Sequence, residues 1–560
     1  MKISYKHLAS LIEITETPEI LSELLTATGL EVEGIEKIDA VPGGLTGLVI
    51  GEVLTCEQHP NADRLRKTTV DIGAEKPLEI VCGAANVAAG QKVVIATVGA
   101  TLYPSDGEPF EIKKSKIRGE VSEGMICAED EIGLGNSHDG IMVLTTDAPN
   151  GTPAAAHFKL ESDYCIEIGL TPNRADAASH FGVARDVRAL NGKEISLPET
   201  TGFKVVSEKT TFTISIQNEV ACPRFCGLEI RGVTVKESPE WLKNFLRTVG
   251  VKSINNIVDT TNYINHFLGQ PMHIFDADKV AGKQIVVRVP EKGTKVTTLD
   301  KIERELSGFD LAICDAEKPM AIAGVFGGLN SGVSDSTKNI FLEVAYFDPA
   351  WIRKTATHHS LKTDASFRYE RGTDPEMPPF AIKAAALMIQ NLAGGECLDG
   401  IIDIYPKPIE HKEVTLKYRN INRLIGKEIG VERIHEILES LDIKTLTKDE
   451  QQFTVSVPPY RVDVTREADV IEEILRIYGF DNIELSENLQ SDFISEFPFT
   501  DSDALRKRVS EYLAGIGFNE IQTLSIVKPA QNTPLSSLSK GDEVKLLNPL
   551  NEELSVMRQG

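Results

Sequence analysis

Between Gly44 and about Leu144 the chain consists of short β-rich segments that are separated by glycine-containing turns. Typical segments read LTGLVIGEV, LEIVCGAANV and QKVVIATVGATL. Strands this short, with a turn signal roughly every 8 to 12 residues, are typical of a small closed barrel. Helical periodicity occurs on both sides of this segment. The pattern therefore predicts a barrel between two helical stretches.

The remaining segments divide the 560 residues into further units. A chain of this length is too long for one hydrophobic core, so about three to five domains are expected. Before the barrel, Thr17 and Pro18 begin a helix that ends near Gly29, and after it NRADAASHFGVARDVRALNG has helical spacing. Residues 210–400 contain strand-like runs and one strong helix, PPFAIKAAALMIQNLAGG. Residues 412–482 form a compact α/β pattern, and residues 495–560 begin another unit with DALRKRVSEYLAGIG and the strand EIQTLSIV.

The composition excludes several classes of protein. Since 59 basic residues face 83 acidic ones, the net charge is −24, and tight nonspecific binding of nucleic acid over the whole surface is not expected. No apolar run approaches the roughly 20 residues that cross a bilayer, and the first residues lack an export signal. We therefore expect a soluble, cytoplasmic protein without a membrane partner.

Motifs of several common enzyme classes are absent from the sequence. The eight cysteines form no CxxC pair, which favours reduced, buried thiols over a zinc site, and Cys222 with Cys226 lacks a second ligand pair. The sequence also contains no GxxxxGK[ST], HExxH or GxSxG. A P-loop enzyme, a zincin and an α/β-hydrolase are therefore disfavoured.

An acidic motif lies in VPPYRVDVTREADVIEEILRIYG. Asp469, Glu472 and Glu473 have the spacing i, i+3, i+4, so a helix would place the three carboxylates on one face, with Asp463 just before its start. Oxygen ligands without His or Cys suit a hard ion such as Mg²⁺. From spacing alone, the carboxylates could equally complement the positive end of the helix dipole.

A basic run occurs in the barrel segment. Lys113, Lys114, Lys116 and Arg118 fall within six residues of IKKSKIRGEVSEGM, and such a strand could follow a phosphate backbone. However, residues 42–146 hold 9 basic and 15 acidic side chains, so an ordinary solvated strand explains the run equally well.

Polar and small residues in the large α/β region suggest a pocket. His273, a strand residue Glu343, the glycine-rich turn of AIAGVFGG and the segment Thr363–Ala365 could form a hydrolytic or amino-acid site. The alternative is that these residues are structural. The tetrapeptide FRYE also matches the Phe-Arg-x-Glu signature with which one class of aminoacyl-tRNA synthetases binds ATP.

Several motifs together resemble one family in their order along the chain. The sequence is similar to the β subunit of bacterial phenylalanine–tRNA ligases over essentially its whole length. The segments that carry the resemblance are HPNADRL with IRGxxSEGMIC, TPNRADAASHFGVARD, NNIVDTTNYINHFLGQPMHIFDAD, GVFGGLNSGVSD, FLEVAYFDP, KTDASFRYERGTDP, RVDVTREADVIEEILRIYGFDNI and NPLNEELSVMR.

The resemblance implies a multidomain α+β chain within an assembly of two α and two β subunits. The α subunit would bind ATP, phenylalanine and the end of tRNA(Phe) for aminoacylation, while the β chain would bind tRNA and hydrolyse mischarged Tyr-tRNA(Phe). The implied domains are a discontinuous helical module (1–40 and 155–200), an OB-fold tRNA-binding barrel (41–154), an editing domain (205–404), a small α/β domain with the metal motif (410–485) and the start of a class II synthetase catalytic-like domain (490–560).

The resemblance also implies roles for individual residues. A pocket shaped for phenylalanine rejects tyrosine, which only adds a hydroxyl, by no more than about a hundredfold, so a second, editing site is needed. Glu343 would accept the tyrosyl hydroxyl, and FRYERG would belong to the editing domain and not to ATP binding. The remaining implied assignments are Thr261, His273 and Gly324 at the tRNA 3′ end and attacking water, Thr363 and Ala365 in the pocket wall, Lys113, Lys114, Lys116 and Arg118 at RNA, and Asp463, Asp469, Glu472 and Glu473 at a Mg²⁺ ion shared with the α subunit.

Two expectations concern the limits of the resemblance. Family members continue past Gly560, so the chain is expected to be C-terminally truncated, and the acidic barrel departs from a basic RNA-binding surface. The alternative function is a tRNA- or partner-binding module without editing activity. A free-standing amino-acid-activating enzyme is the least favoured, because residues that would grip ATP are not found.

Overall fold

The computed structural model describes residues 1–104, 108–135, 137, 139–158, 160, 162–484, 501–532 and 543–559. It forms two compact units, Met1–Glu484 and Leu485–Gly560. In the described residues, no helix is long and apolar enough to cross a membrane. The α-helices are Tyr5–Leu11, Pro18–Ala27, Ala154–His157, His180–Asn191, Glu240–Thr248, Asn256–Leu268, Pro349–His358, Asp364–Tyr369, Pro378–Ala393, Tyr418–Ile425, Val431–Ser440, Glu467–Tyr478 and Ser502–Gly515.

The first sheet joins the N-terminus to residues that follow the barrel. Strand Asp163–Ile168 pairs antiparallel with Lys2–Ser4 on one side and with Val32–Ile38 on the other. The predicted helix Pro18–Ala27 packs beside this sheet; Thr17 caps it, and Gly29, with φ +90°, follows its end. The barrel is therefore an insertion between two pieces of one helical and β module.

The inserted segment forms a nearly closed barrel. Its main sheet is antiparallel and its inner faces carry two apolar clusters. A two-residue turn, Arg118 and Gly119 with φ of +49° and +100°, closes a hairpin at one edge, and positive φ at both positions is the geometry that suits strand twist. The strands are Leu48–Gln58, Arg66–Asp71, Leu78–Cys82, Lys92–Thr97, Thr101–Leu102, Phe110–Glu111, Ser115–Ile117, Glu120–Ser122, Gly124–Ile126 and Val143–Leu144.

The large α/β region contains two principal sheets with separate apolar cores. One is a mixed sheet with Arg224–Arg231 and Asn339–Tyr346 at its centre, and it also holds Val205–Val206, Met272–Asp276, Glu396–Leu398 and Ile402–Ile404. The second sheet holds Thr213–Ile216, Gln284–Arg288, Ala312–Cys314, Pro319–Ile322 and Phe326–Gly327, and a separate hairpin pairs Lys295–Thr297 with Glu303–Glu305. The predicted helix is present as Pro378–Ala393, but four further helices between 240 and 369 were not predicted.

The region after residue 410 forms a three-stranded sheet covered by helices. Lys412–Lys417, Gln452–Val457 and Lys444–Lys448 pair antiparallel, and helix Glu467–Tyr478 packs on their apolar core. The second unit contains helix Ser502–Gly515 and the pair Ile526–Val527 with Val556–Met557. Of the predicted strand EIQTLSIV, only the last two residues, Ile526–Val527, form a strand in the structure. The predicted domain that begins at 490 lies partly outside the described residues, at 490–500, 533–542 and 560.

Candidate active site

A cavity of about 260 Å³ lies within the large α/β region, and every residue that was predicted for the editing pocket lines it. These residues come from separate elements: helix Asn256–Leu268, strands Met272–Asp276 and Asn339–Tyr346, the turn after Pro319–Ile322, and the start of helix Asp364–Tyr369. The predicted residues that line the cavity are Thr261, His273, Gly324, Glu343, Thr363 and Ala365.

Glu343 lies in the middle of a buried strand. The strand NIFLEVAY is apolar on both faces, so its single carboxyl enters the interior with only 5% of the residue exposed. The Glu343 Oε2 atom has no hydrogen-bond partner in the described part of the chain. Burial raises the pKa of this carboxyl to about 8, because a low-dielectric environment disfavours the charged form. The cavity therefore contains a carboxyl whose hydrogen-bonding capacity is not used by the fold.

His273 is the cross-strand register partner of Glu343. Its Nε2 atom is buried and has no partner within the described ranges, and its ring packs edge-on against Phe275 with centroids 4.6 Å apart. Burial lowers the pKa of His273 to about 4, so the imidazole is neutral at pH 7. A Cβ atom at Gly327 would lie 2.6 Å from the His273 ring, and a glycine at this position therefore makes room for the ring beside the cavity.

Gly324 occupies the turn between strands Pro319–Ile322 and Phe326–Gly327. Its φ of +66° is unfavourable for residues with a side chain. A Cβ atom there would also lie 2.8 Å from Ile352 Cδ1 and 2.9 Å from Phe347 Cδ2. Both constraints require glycine at position 324. This part of the cavity wall is therefore formed by backbone atoms and not by a side chain.

The two threonines of the predicted pocket have hydroxyls that already bond to the backbone. Thr363 caps helix Asp364–Tyr369: its Oγ1 accepts from Ser366 N at 3.0 Å and donates to Val325 O at 2.8 Å. Thr261 donates to Val258 O at 2.6 Å. Thr363 thereby joins the helix start to the Gly324 turn. Ala365, two residues later, is half-buried at the same wall.

Asn265 is a cavity residue that the sequence did not reveal. It lies one helical turn after Thr261 and is 6% exposed, and its Oδ1 atom has no partner in the described part of the chain. Its i+4 spacing from Thr261 was the available signal, but it has meaning only once the helix Asn256–Leu268 is known. The cavity thus collects unpartnered polar atoms from three side chains, Glu343, His273 and Asn265.

The acidic motif lies on a helix, as its spacing predicts, but its carboxylates have different environments. Glu473 is 4% exposed and forms ion pairs of 2.6 Å with both Arg461 and Arg476. Asp469 accepts from Arg466 in a capping arrangement at the helix start. Glu472 is exposed, and Asp463 accepts from Asn173 Nδ2 at 3.2 Å.

The fit of this motif to a cation is incomplete within the chain. Its donors are all carboxylate oxygens, which is the chemistry that Mg²⁺ prefers, and Asp463 Oδ1 is buried without a partner in the described ranges. However, no three of the four carboxylates bring one oxygen each within 4.8 Å of one another, so the chain alone does not gather them around one ion. Glu473 is instead neutralised by arginines, and its pKa is lowered to about 2 by Arg461 and Arg476, against its desolvation.

The basic run of the barrel occupies the hairpin around the Arg118–Gly119 turn. Lys114 pairs with Glu123 at 2.6 Å and Lys113 lies 3.6 Å from Glu111, whereas Lys116 is exposed on the hairpin strand. Nearby acidic residues therefore offset part of the positive charge. The motif HPNADRL supports the hairpin: Asn61 Nδ2 donates to Arg118 O at 3.2 Å.

All eight cysteines are free, as predicted, and seven are buried. Cys222 and Cys226 are both fully buried in the apolar cores of the large α/β region. Burial raises the pKa of both thiols, so they are protonated structural residues.

Family models match the chain in four consecutive segments. The models are described as "Putative tRNA binding domain" (residues 48–153), "B3/4 domain" (221–394), "tRNA synthetase B5 domain" (414–480) and "Phenylalanyl tRNA synthetase beta chain CLM domain" (486–560). The cavity lies within the B3/4 match, and the acidic motif lies within the B5 match.

Curated relatives align with the whole chain. The phenylalanine–tRNA ligase β subunit of Bacteroides fragilis is 50% identical over 564 residues, which cover 100% of this chain and 69% of the relative. The β subunit of Porphyromonas gingivalis is 49% identical over 568 residues, with the same coverage of each chain. That of Salinibacter ruber is 40% identical over 577 residues and is covered to 68%.

Proposed function

The chain belongs to the family of phenylalanine–tRNA ligase β subunits, and we propose that its cavity is an editing site that hydrolyses the tyrosyl ester of mischarged tRNA(Phe). The observation that carries this proposal is the buried Glu343 Oε2 atom, which has no hydrogen-bond partner among the described residues and lies at a cavity of about 260 Å³. A phenol hydroxyl supplies the partner that this carboxyl lacks.

Selectivity follows from the cost of unpaired polar groups. A buried donor or acceptor without a partner costs about 1–3 kcal/mol. The hydroxyl of a tyrosyl group would hydrogen-bond to the Glu343 carboxyl, whereas a phenylalanyl group would leave that carboxyl without a partner. A site built to bond a hydroxyl discriminates strongly against the analogue that lacks it. Glu343 is therefore the residue through which Tyr-tRNA is chosen over Phe-tRNA.

Hydrolysis requires water to attack the ester carbonyl while the ribose oxygen leaves with a proton. His273, neutral and with a free Nε2, and Asn265, with a free Oδ1, are the side chains that can orient this water. Thr261 and the backbone at Gly324 would contact the tRNA 3′ end, while Thr363 and Ala365 would define the wall against the amino acid. These roles need no metal ion in the cavity.

We further propose that the chain acts with an α subunit in an assembly of two α and two β chains. The α subunit would bind ATP and carry out aminoacylation, and this chain would contribute tRNA contacts through Lys113, Lys114, Lys116 and Arg118. The proposed domain limits are 1–40 with 155–200, 41–154, 205–404, 410–485 and 490–560, the last as part of a catalytic-like domain. A Mg²⁺ ion shared with the α subunit would be held by Asp463, Asp469, Glu472 and Glu473, with the α subunit completing its ligands. Glu473 would keep its two arginine partners, so the ion would chiefly neutralise the other three carboxylates.

The test is deacylation of Tyr-tRNA(Phe) by this chain, with Phe-tRNA(Phe) as the substrate control. We expect selective hydrolysis of the tyrosyl ester, and a loss of that selectivity in Glu343→Ala. The matched control is Glu439→Ala, which removes an exposed carboxylate outside the cavity and outside the acidic motif. If the Glu343→Ala chain retains full selectivity, or the folded wild-type chain hydrolyses neither ester, the editing assignment is wrong and a binding module is favoured.

A further inference from the structure

A second cluster of ligand-type side chains lies outside the cavity. Asp310, His358 and His359 each place one metal-binding atom within 4.8 Å of those of the other two. Among the residues that the structure describes, this is the one group of three or more His, Cys, Asp or Glu side chains with that geometry. Neither the family models nor the editing role assigns a function to these residues.

Asp310 is the buried member of the cluster. Its residue is 0% exposed, and its Oδ2 atom accepts from Ser307 N at 2.8 Å and lies 2.8 Å from His359 Nε2. The other carboxylate oxygen, Oδ1, is buried and has no partner within the described ranges. Since buried carboxylate oxygens are normally paired or coordinate metals, this free oxygen indicates a missing ligand.

The two histidines connect the buried carboxylate to solvent. His358 ends helix Pro349–His358 and is exposed, while His359 caps that helix and is half-buried. Their rings lie 4.8 Å apart, and His358 also packs against Phe309 at 5.4 Å. An ion could therefore reach the cluster from the surface and keep a water-bound position open.

Two cations lie close to the cluster but are held by other groups. Arg304 forms a 2.6 Å ion pair with Asp300 and donates to the His359 carbonyl oxygen. Lys354 lies over the Phe309 ring at 3.9 Å. Neither side chain pairs with Asp310 in the described part of the chain, so the Asp310 Oδ1 atom remains available to a bound ion.

We propose that Asp310, His358 and His359 bind a divalent transition metal of the Zn²⁺ class. Two imidazole nitrogens and one carboxylate oxygen, with a fourth position for water, form a donor set typical of zinc. The site would link two segments of the cavity wall: Asp310 precedes strand Ala312–Cys314, which contributes Ile313, and His359 precedes the Thr363–Ala365 segment. A bound ion would thus hold these two walls of the cavity together.

The test is titration of the full metal-free chain with Co²⁺, followed by its visible d–d absorption. We expect saturable 1:1 binding by the wild type and affinity reduced by at least about tenfold in His358→Ala and Asp310→Asn, as a lost ligand should cost no less than a lost outer partner. The control is His411→Ala, which removes another exposed histidine. Zn²⁺ should displace Co²⁺ from the wild type.

His358→Ala is the decisive variant because His358 is exposed and its removal leaves the core intact, whereas Asp310→Asn alters a buried hydrogen bond. Circular dichroism verifies that each variant is folded. Binding of His358→Ala with wild-type affinity would overturn the proposal, and so would absence of saturable Co²⁺ binding or an equal loss in His411→Ala. The readout does not involve deacylation, so it is independent of the editing function.

Discussion

Replacement of Glu343 by glutamine should stabilise the strand that carries it, and this gain should increase with pH. Burial raises the pKa of Glu343 from 4.5 to about 8. Between these two values the folded chain holds a proton that the unfolded chain has lost, so the free energy of unfolding decreases as the pH rises. Glutamine does not titrate, and the variant lacks this decrease.

The magnitude follows from the size of the shift. One pKa unit corresponds to about 1.4 kcal/mol, so the stability lost through Glu343 is about 2 kcal/mol at pH 6, about 4 kcal/mol at pH 8, where half of the folded carboxyls are ionised, and about 5 kcal/mol well above pH 8. The advantage of Glu343→Gln should therefore grow by about 2 kcal/mol between pH 6 and pH 8. Any constant effect of the new amide cancels in this difference.

The assay is native-state hydrogen exchange of the amides in strand Asn339–Tyr346, corrected for the intrinsic pH dependence of exchange. Exchange reports the opening of this strand separately from the other domains. Glu439→Gln, at an exposed position, is the matched control and should show no such trend in this strand. An advantage of Glu343→Gln that stays constant from pH 6 to pH 8 would refute the reasoning, because it would mean that Glu343 ionises normally in the folded chain.

Three further predictions address other parts of the chain. Gly324→Ala should greatly reduce Tyr-tRNA deacylation, because the new Cβ atom would collide with Ile352 and Phe347. Gly400→Ala is the control and should not reduce it, since Gly400 has a similar φ of +88° but no atom lies within 4 Å of its added Cβ. Equal losses in both variants would contradict this. Glu473→Gln should lower the free energy of unfolding by about 3–5 kcal/mol, because it leaves buried arginines unpaired. Thermal unfolding in EDTA measures this loss beside Glu439→Gln, a control at an exposed position, and a loss that appears only with Mg²⁺ would contradict the ion-pair explanation. Lys116→Ala should reduce by about 1 the slope of the logarithm of the tRNA-binding constant against the logarithm of the salt concentration. Lys114→Ala should reduce this slope less, because Lys114 is already paired with Glu123. The reverse order would show that this ion pair does not persist when RNA binds.

Local signals in the sequence were sufficient for elements that have explicit ends or one apolar face. Thr17, Pro18 and Gly29 predicted the helix Pro18–Ala27, and the Gly394 stop predicted the end of Pro378–Ala393. The helix Asn256–Leu268 was missed because it buries polar residues as well as apolar ones. Asn256, for example, is fully buried and donates to the carbonyl oxygens of Thr234 and Leu392. Such a helix shows no polar face from which its periodicity could be recognised.

The two candidate sites show why spacing alone does not determine a site. The cavity residues are spread from Thr261 to Ala365. Residue types alone suggested a pocket but left a structural role open, and the family resemblance then gave individual residues their expected roles. The carboxylates of the acidic motif, in contrast, have ideal helical spacing, but Arg461 on a preceding segment takes Glu473 into an ion pair. A short-range pattern places side chains on one face of a helix, and the residues opposite that face decide what those side chains bind.

The polar atoms that line the cavity are an argument for its ligand, because the described fold does not pair them. Glu343, His273 and Asn265 each leave a buried polar atom without a partner in the described residues, although each could have been replaced by an apolar side chain of similar size. Such groups lower stability unless something satisfies them. In the proposed editing reaction, a tyrosyl ester with its attacking water would offer a hydroxyl donor to Glu343 and hydrogen bonds to the other two side chains. Polar groups that lower the stability of the free chain would then contribute selectivity for this substrate.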